Sequence, residues 1–243
     1  MTYKVVSISN KQPTAWYYLQ RQFFTSLGEH PHIMITGGGD YGNWGGLASK
    51  PKWLYKAIKD GVIKEDYIIF VDNWDLIFCA DPKEMMERYF SFDADIVISA
   101  ERNCFPADLR EEFDKVDAPT DYKYLNSGCI VGKTSSILTC LEWMDLENLP
   151  DDHYDPVNNC NIHPNDQFEW MKIWVKQPVK IALDYYQALS MTLHDAKIEE
   201  LDFSEKRIKN ILTNSYPCCL HFNGGSKDNM SLREPILKHL NLL

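Results

Sequence analysis

The chain has 243 residues, 44% hydrophobic and 13% aromatic, which is enough to bury the core of one α/β domain and too apolar for disorder. Its formal net charge of −10 lacks the basic footprint of a general nucleic-acid binder, and no apolar run of about 18 residues is present to span a membrane. Seven cysteines without a CxxC pair argue against a zinc ribbon or a disulfide framework and read as mostly buried thiols.

Met1-Thr2-Tyr3-Lys4 leads almost at once into a strand-like stretch, with no charged segment followed by an apolar one. No signal peptide is expected, and the chain as given reads as cytosolic unless a targeting segment lies outside it. Residues 5–8 predict a strand and 14–27 a helix behind Pro13. A second strand over 32–35 runs into a glycine-rich loop over 36–46, then a helix over 50–59 and a buried strand over 67–71. Asp81, Pro82 and Glu84 read as cap, first helical position and capping-box partner of a helix. Residues 95–100 predict a strand, 124–132 a turn into a strand, and 134–143 and 165–174 helices. Between those helices, 146–164 reads as a long polar loop with His153 and His163 on its surface. Strands over 179–183 and 218–222 and a helix over 231–240 complete the chain. The alternation predicts a single α/β domain over residues 1–243, with a mostly parallel sheet covered by helices on both faces.

The apolar strand 67–71 stops abruptly at Asp72-Asn73-Trp74-Asp75. Ligands of open α/β sheets bind just outside the carboxyl ends of strands. Two carboxylates three residues apart on such a turn can aim at one point, which suits a hard divalent cation and, through it, a diphosphate. An acidic turn capping a strand explains the spacing equally well. Trp74 between the carboxylates favours function, as a platform for a base. His221 ends a later strand and is the natural third ligand, and imidazole beside carboxylates favours Mn²⁺ over Mg²⁺. A lone histidine at a strand end is otherwise a structural residue more often than a ligand. After it, Gly224 permits close backbone approach and Lys227 can meet a phosphate.

Other candidates are weaker. Gly37, Gly39 and Gly42 match G-x-G-x-x-G, but Asn43-Trp44-Gly45-Gly46 cannot open the helix that a dinucleotide fingerprint requires, so the segment reads as a loop near a nucleotide. Asn126-Ser127-Gly128 reads first as a turn, and second, with Ser99-Ala100-Glu101, as a lining for sugar hydroxyls. Asp166, in a first helical turn, either satisfies the helix dipole or faces a sugar; Asp184, at a strand end, is a second such carboxylate.

Several stretches together resemble the glycosyltransferase domain of the procollagen lysyl hydroxylases, which glycosylate collagen hydroxylysine. They are Thr36-Gly37-Gly38-Gly39, Lys52-Trp53-Leu54, Ile69 to Asp75, Ser99-Ala100-Glu101 with Cys104-Phe105-Pro106, Leu125-Asn126-Ser127-Gly128, Asn165-Asp166-Gln167, Leu183-Asp184 and His221-Phe222-Asn223-Gly224, in family order. The resemblance implies a Rossmann-like GT-A fold, Mn²⁺ (with Mg²⁺ as the alternative ion), and UDP-glucose or UDP-galactose as donor. It implies a collagen-like peptide as acceptor, with glucose passing to galactosyl-hydroxylysine and retention at the anomeric carbon. Asp72, Asp75 and His221 then hold the metal, and Trp74 stacks on uracil where the family usually carries Tyr. Thr36, Gly37, Gly38, Trp53, Gly224 and Lys227 complete the donor site, and Asp166, Asp184 and Asn126 act near the reacting sugar. The chain departs from the family at Pro164-Asn165, where the acidic run is shorter, at Phe105, where Trp is typical, and over 42–49, which reads as an insertion. A transferase for a different glycan or lipid acceptor, or a catalytically silent sugar-nucleotide binder, are the competing readings.

Overall fold

A computed structural model describes residues 1–10, 32–36, 38–155, 160–162, 164–224 and 227–242. The expected helix over 14–27 lies outside these residues. The strands are β1 (Tyr3–Ser9), β2 (His32–Thr36), β3 (Tyr67–Val71), β4 (Leu76–Phe78), β5 (Ile96–Glu101), β6 (Tyr124–Lys133), β7 (His153–Asp155), β8 (Cys160–Ile162), β9 (Ile181–Asp184), β10 (Ser190–Thr192), β11 (Leu201–Asp202), β12 (Lys209–Asn210) and β13 (Cys219–His221). The helices are α1 (Ser49–Lys59), α2 (Pro82–Tyr89), α3 (Arg110–Asp114), α4 (Thr134–Trp143), α5 (Asp166–Lys176) and α6 (Lys227–His239).

The main sheet has the order β2-β1-β3-β6-β5-β9. Among these strands β6 alone runs against its neighbours, so the sheet is mostly parallel as expected. Successive side chains of a strand point to opposite faces. Accordingly Val6, Ile68, Phe70, Ile96, Ile98 and Ile130 pack on one face with Trp53 and Leu54 of α1, Ile137 and Leu141 of α4 and Trp170 of α5. Val5, Ile69, Val71, Val97 and Val131 face the other way, onto Met85, Met86 and Tyr89 of α2 and onto Phe78 and Cys219. Both faces of the central strands are therefore buried, which is why they read as continuous apolar runs.

A small second sheet, β10-β13-β4, takes in the expected strand over 218–222 as β13, whereas β4 and β10, three residues each, carry no period that announces them. Its outer side packs Ile77, Met191 and Leu220 against Leu232 and Ile236 of α6. The stretch 146–164, expected as loop, contains the antiparallel pair β7–β8. Asp81 caps α2 by accepting from the Lys83 N–H at 2.8 Å. Glu84, expected to complete a capping box, instead turns to Arg88 and Arg207, whose guanidinium charges outcompete a neutral backbone N–H.

The main correction concerns residues 124–132, which are strand throughout rather than a turn into a strand. The step from Ile98 to Ala100 on β5 is opposed on β6 by the longer step from Ile130 to Leu125. The extra residues form a bulge over Asn126, Ser127 and Gly128, and bulges re-aim side chains next to sites. Here they aim towards the carboxyl ends of β3 and β5. Six described cysteines are free thiols, five of them buried; burial pushes the Cys140 thiol up to about 12, which leaves it unreactive. Among the described residues no helix is long and apolar enough to cross a membrane.

Candidate metal and donor site

Asp72 and Asp75 lie on the turn between β3 and β4. The Asp72 N–H donates to the Gly128 carbonyl at 2.9 Å, fixing the turn to the bulge. β4 then pairs antiparallel with β13, with Leu76 opposite His221. The Phe222 N–H donates to the Asp75 carbonyl at 2.6 Å. The second sheet thus brings a residue distant in sequence onto the acidic turn. His221 Nε2 lies 3.3 Å from Asp75 Oδ1 and 3.7 Å from Asp72 Oδ2. Among the described residues, Asp72, Asp75 and His221 form the one group of His, Cys, Asp or Glu whose ligand atoms all lie within 4.8 Å.

The donor set fits a divalent ion. His221 is buried, and its Nε2 has no hydrogen-bond partner although it faces two carboxylates. Two hard oxygens and one imidazole nitrogen suit Mn²⁺. Burial pulls the His221 pKa down, but Asp75 and Asp72 outweigh it and hold the imidazole above its usual value. Burial likewise pushes the Asp75 carboxyl up, and His221 and Lys50 outweigh it to hold it below the carboxylate range.

Lys50, in the first turn of α1, is a site residue that the sequence did not reveal. Its Nζ lies 2.6 Å from Asp72 Oδ1 and 3.3 Å from Asp166 Oδ2. Asp166 is 2% exposed and opens α5, behind the Asn165 cap, whose Oδ1 accepts from the Gln167 N–H at 2.9 Å. The Ser127 hydroxyl donates to Asp166 Oδ2 at 3.2 Å. Burial raises the Asp166 pKa, and Lys50 opposes that.

A second carboxylate, Glu101 at the end of β5, is surrounded by amides. It accepts from Asn126 Nδ2 at 3.1 Å, Gln167 Nε2 at 2.9 Å and Asn223 Nδ2 at 3.0 Å. Burial pushes its pKa up, and the first two amides pull it back. Asn126 Oδ1 lies 3.0 Å from His221 Nδ1 and accepts from the Gly128 N–H at 3.0 Å.

Two cavities meet at this cluster. One, of about 570 Å³, is lined by residues including Glu101, Phe105, Asn126, Asp166, His194 and Gly224. The other, of about 370 Å³, is lined by residues including Ser9, Trp44, Trp74 and Asp152. Lys50, Asp72 and Asp75 line both. Trp74 is 42% exposed, although large aromatics are normally covered. Phe105, 64% exposed, stands at the wall of the first cavity.

Of the expected donor residues, Trp74 and Gly224 line a cavity. Gly224 has φ +78°, and a Cβ there would lie 2.1 Å from His194 Nδ1. Trp53 is 4% exposed and packs against Trp44, ring centroids 5.5 Å apart, behind the wall of the second cavity. Thr36 pairs with Ser9 across β1–β2, beside the second cavity and not in its lining. Gly38 sits at a tight exposed turn with φ +105°. Gly37 lies outside the described residues, as does the side chain of Lys227, which begins α6.

Asp184 stands apart from the cavities at the end of β9. It is fully buried and lines neither cavity. Its carboxylate accepts the backbone N–H groups of Ala188, Leu189 and Ser190 at 2.8, 2.7 and 3.1 Å, which ties the β9–β10 turn. Asp184→Ala orphans three donors and is expected to cost about 3 kcal/mol of stability. Denaturant unfolding beside steady-state kinetics checks this: turnover per folded molecule should hold, and a selective loss of turnover would return Asp184 to the site.

The profile of the family described as PLOD GT domain matches residues 27–235. An uncharacterized protein of Acanthamoeba polyphaga mimivirus is 33% identical over 204 residues, covering 80% of this chain and 40% of that protein. Procollagen-lysine,2-oxoglutarate 5-dioxygenase 1 of Rattus norvegicus is 26% identical over 239 residues, covering 92% of this chain and 30% of that one. Multifunctional procollagen lysine hydroxylase and glycosyltransferase LH3 of Homo sapiens is 26% identical over 199 residues, at 78% and 25%. The chain thus spans about a quarter to two fifths of the length of these relatives. Among solved structures, a glycosyltransferase involved in glycosylation of the major capsid of PBCV-1 superposes over 100% of both chains with a TM-score of 0.56 at 12% identity. That likeness is one of fold, and the fold is the α/β GT-A type.

Proposed function

We propose, because the chain belongs to the PLOD GT domain family and is a glycosyltransferase by family and fold, that it moves glucose or galactose from the matching UDP-sugar to hydroxylysine or galactosyl-hydroxylysine of collagen-like chains. The reading takes residues 1–243 as one GT-A domain, Mn²⁺ as the ion and retention as the stereochemical outcome. The observation that carries it is the Asp72, Asp75 and His221 cluster at the junction of two cavities. One cavity offers an aromatic platform and the other a polar lining, as a base and a sugar require.

Asp72, Asp75 and His221 would hold the ion, which when bound neutralises charge on a departing diphosphate. Trp74 offers its indole face to uracil on one side. Lys50 can swing from Asp72 towards a diphosphate and offer it a charge-assisted donor. Asp166, Ser127 and Asn223 present acceptors and donors to sugar hydroxyls on the other side, and Phe105 offers a face for an acceptor sugar ring. The buried walls exclude water, which strengthens each of these contacts.

The test is UDP release from UDP-glucose and UDP-galactose, with Mn²⁺ or with chelator, in the presence of hydroxylysine and galactosyl-hydroxylysine peptides. Mn²⁺-dependent release accelerated by one of the peptides is expected. Release accelerated only by other glycans or lipids would move the acceptor claim elsewhere; binding of UDP without any release across the panel would leave a silent binder. Trp74→Ala is expected to raise the donor KM about tenfold, the value of one lost base stack, with kcat little changed. Initial rates against donor concentration check it, and an unchanged KM would remove Trp74 from the base site.

A further inference from the structure

The hydrogen bonds from Glu101 through Asn126 to His221 have a polarity that can be read from fixed ends. Glu101 offers oxygens, so Asn126 turns its Nδ2 to it, at 3.1 Å. At the other end of the same amide, the backbone N–H of Gly128 can only donate, and it does so to Asn126 Oδ1 at 3.0 Å. The Ser99 hydroxyl lies 3.2 Å from that oxygen as well. The Asn126 amide therefore has one orientation. Its Oδ1 is 3.0 Å from His221 Nδ1, and an amide oxygen only accepts, so Nδ1 carries the proton. A neutral imidazole has one N–H. In the neutral ring the other nitrogen, Nε2, is then a bare lone pair, and it faces Asp75 Oδ1 at 3.3 Å and Asp72 Oδ2 at 3.7 Å.

We propose that Asn126, oriented by Glu101 and the Gly128 N–H, is a positioning residue that holds His221 as its Nδ1–H tautomer and so keeps Nε2 open for a divalent ion. The proposal rests on the reading of Asp72, Asp75 and His221 as a metal site. It replaces the expectation that Asn126 acts on the sugar. Carboxylates are stronger acceptors than an amide oxygen. Without the Asn126 oxygen, Asp75 draws the proton onto Nε2, and the neutral ring then presents a hydrogen where the ion must bind. Partners of a ligating histidine commonly change metal affinity by about 10–100-fold.

The test compares wild type, Asn126→Leu and Asn126→Asp, all without donor or acceptor. Leucine removes the accepting oxygen at similar volume, whereas aspartate keeps an oxygen towards Nδ1. Mn²⁺ affinity is read from the electron paramagnetic resonance of free Mn²⁺. The tautomer is read from the ¹⁵N shifts of His221 in metal-free protein, at a pH where the ring is neutral. Expected are an Nδ1–H ring in wild type and Asn126→Asp, and an Nε2–H ring in Asn126→Leu with Mn²⁺ bound about 10–100-fold more weakly. Saturating Mn²⁺ should then restore kcat to Asn126→Leu. An Nε2–H ring in the wild type overturns the proposal, as does unchanged Mn²⁺ affinity in Asn126→Leu. So does a kcat loss that saturating Mn²⁺ leaves in place, which would make Asn126 a catalytic residue. Failure of the wild type to bind Mn²⁺ would overturn the metal reading beneath it, while the ¹⁵N shifts would still report on the Asn126–His221 pair alone. If Asn126→Leu does not fold, the wild-type tautomer and the Asn126→Asp affinity decide.

Discussion

Gly128→Ala is expected to lose roughly 100-fold or more of the proposed metal-dependent transfer, the scale on which misplacing a reacting group by about 1 Å acts. A Cβ at Gly128 would lie 2.0 Å from His221 Cε1, 2.5 Å from Nδ1 and 2.8 Å from Nε2. The overlap is with the body of the ring rather than with one atom at the tip of a flexible chain. The glycine cannot retreat. Its N–H is given to Asn126 Oδ1 and its carbonyl holds the Asp72 N–H, so a backbone shift would pull on the other side of the site. The imidazole must therefore leave its place, and the open space beside it is the cavity it lines, so it turns away from the geometry in which it faces Asp72 and Asp75. Some stability is lost as well, about 1–3 kcal/mol for overpacking. Gly132→Ala separates the two effects. It lies on the same strand, and its Cβ would meet the Asp95 carbonyl at 2.8 Å, far from the carboxylates. Thermal midpoints, Mn²⁺ affinity and turnover of the two variants are the measurement. Both should be destabilised and only Gly128→Ala should lose the ion; equal Mn²⁺ affinity in both would break the link between Gly128 and His221.

The legible parts of this site are those that share a strand with their signal. Asp72 and Asp75 follow five apolar residues, and a strand that stops on two carboxylates announces its carboxyl end. His221 was legible for the same reason, although its strand is three residues long. The illegible parts depend on tertiary placement. Asn126-Ser127-Gly128 has turn chemistry by composition, and the physics that put it in a bulge is pairing with β3 and β5 on both sides, which no local pattern records. Asp184 also ends a strand, and the turn after β9 folds back to donate three backbone N–H groups to its carboxylate, a contact that no local pattern records. Trp53 carries the family pattern yet serves as the support under Trp44. Lys50 sits in a lysine-rich first turn, where a lysine is ordinarily solvated. What draws it in is a pair of carboxylates from two other elements, and neither is within twenty residues of it in the sequence.

That placement makes Lys50→Met the second variant with a large expected effect. Its ammonium is largely buried between Asp72 and Asp166, and the carboxylates hold its pKa above the usual lysine range against the burial that pulls it down. Removing one partner of a buried ion pair leaves an uncompensated charge, at a cost of about 3 kcal/mol. In Lys50→Met, Asp166 keeps the Ser127 hydroxyl, but it faces Asp72 across a site with one cation fewer. Metal-free protein is therefore expected to unfold at distinctly lower denaturant, and Mn²⁺ should recover part of the loss by supplying the missing positive charge. Turnover at saturating Mn²⁺ separates two roles. If Lys50 only balances charge while the site is empty, the ion restores rate along with stability. If its ammonium also meets the diphosphate, stability returns while rate stays roughly 100-fold down, the scale of one lost donor to developing charge. The 2.6 Å contact with Asp72, on the line between the two cavities, favours the second outcome. A variant that is fully stable without metal and fully active with it would show that Lys50 is a bystander.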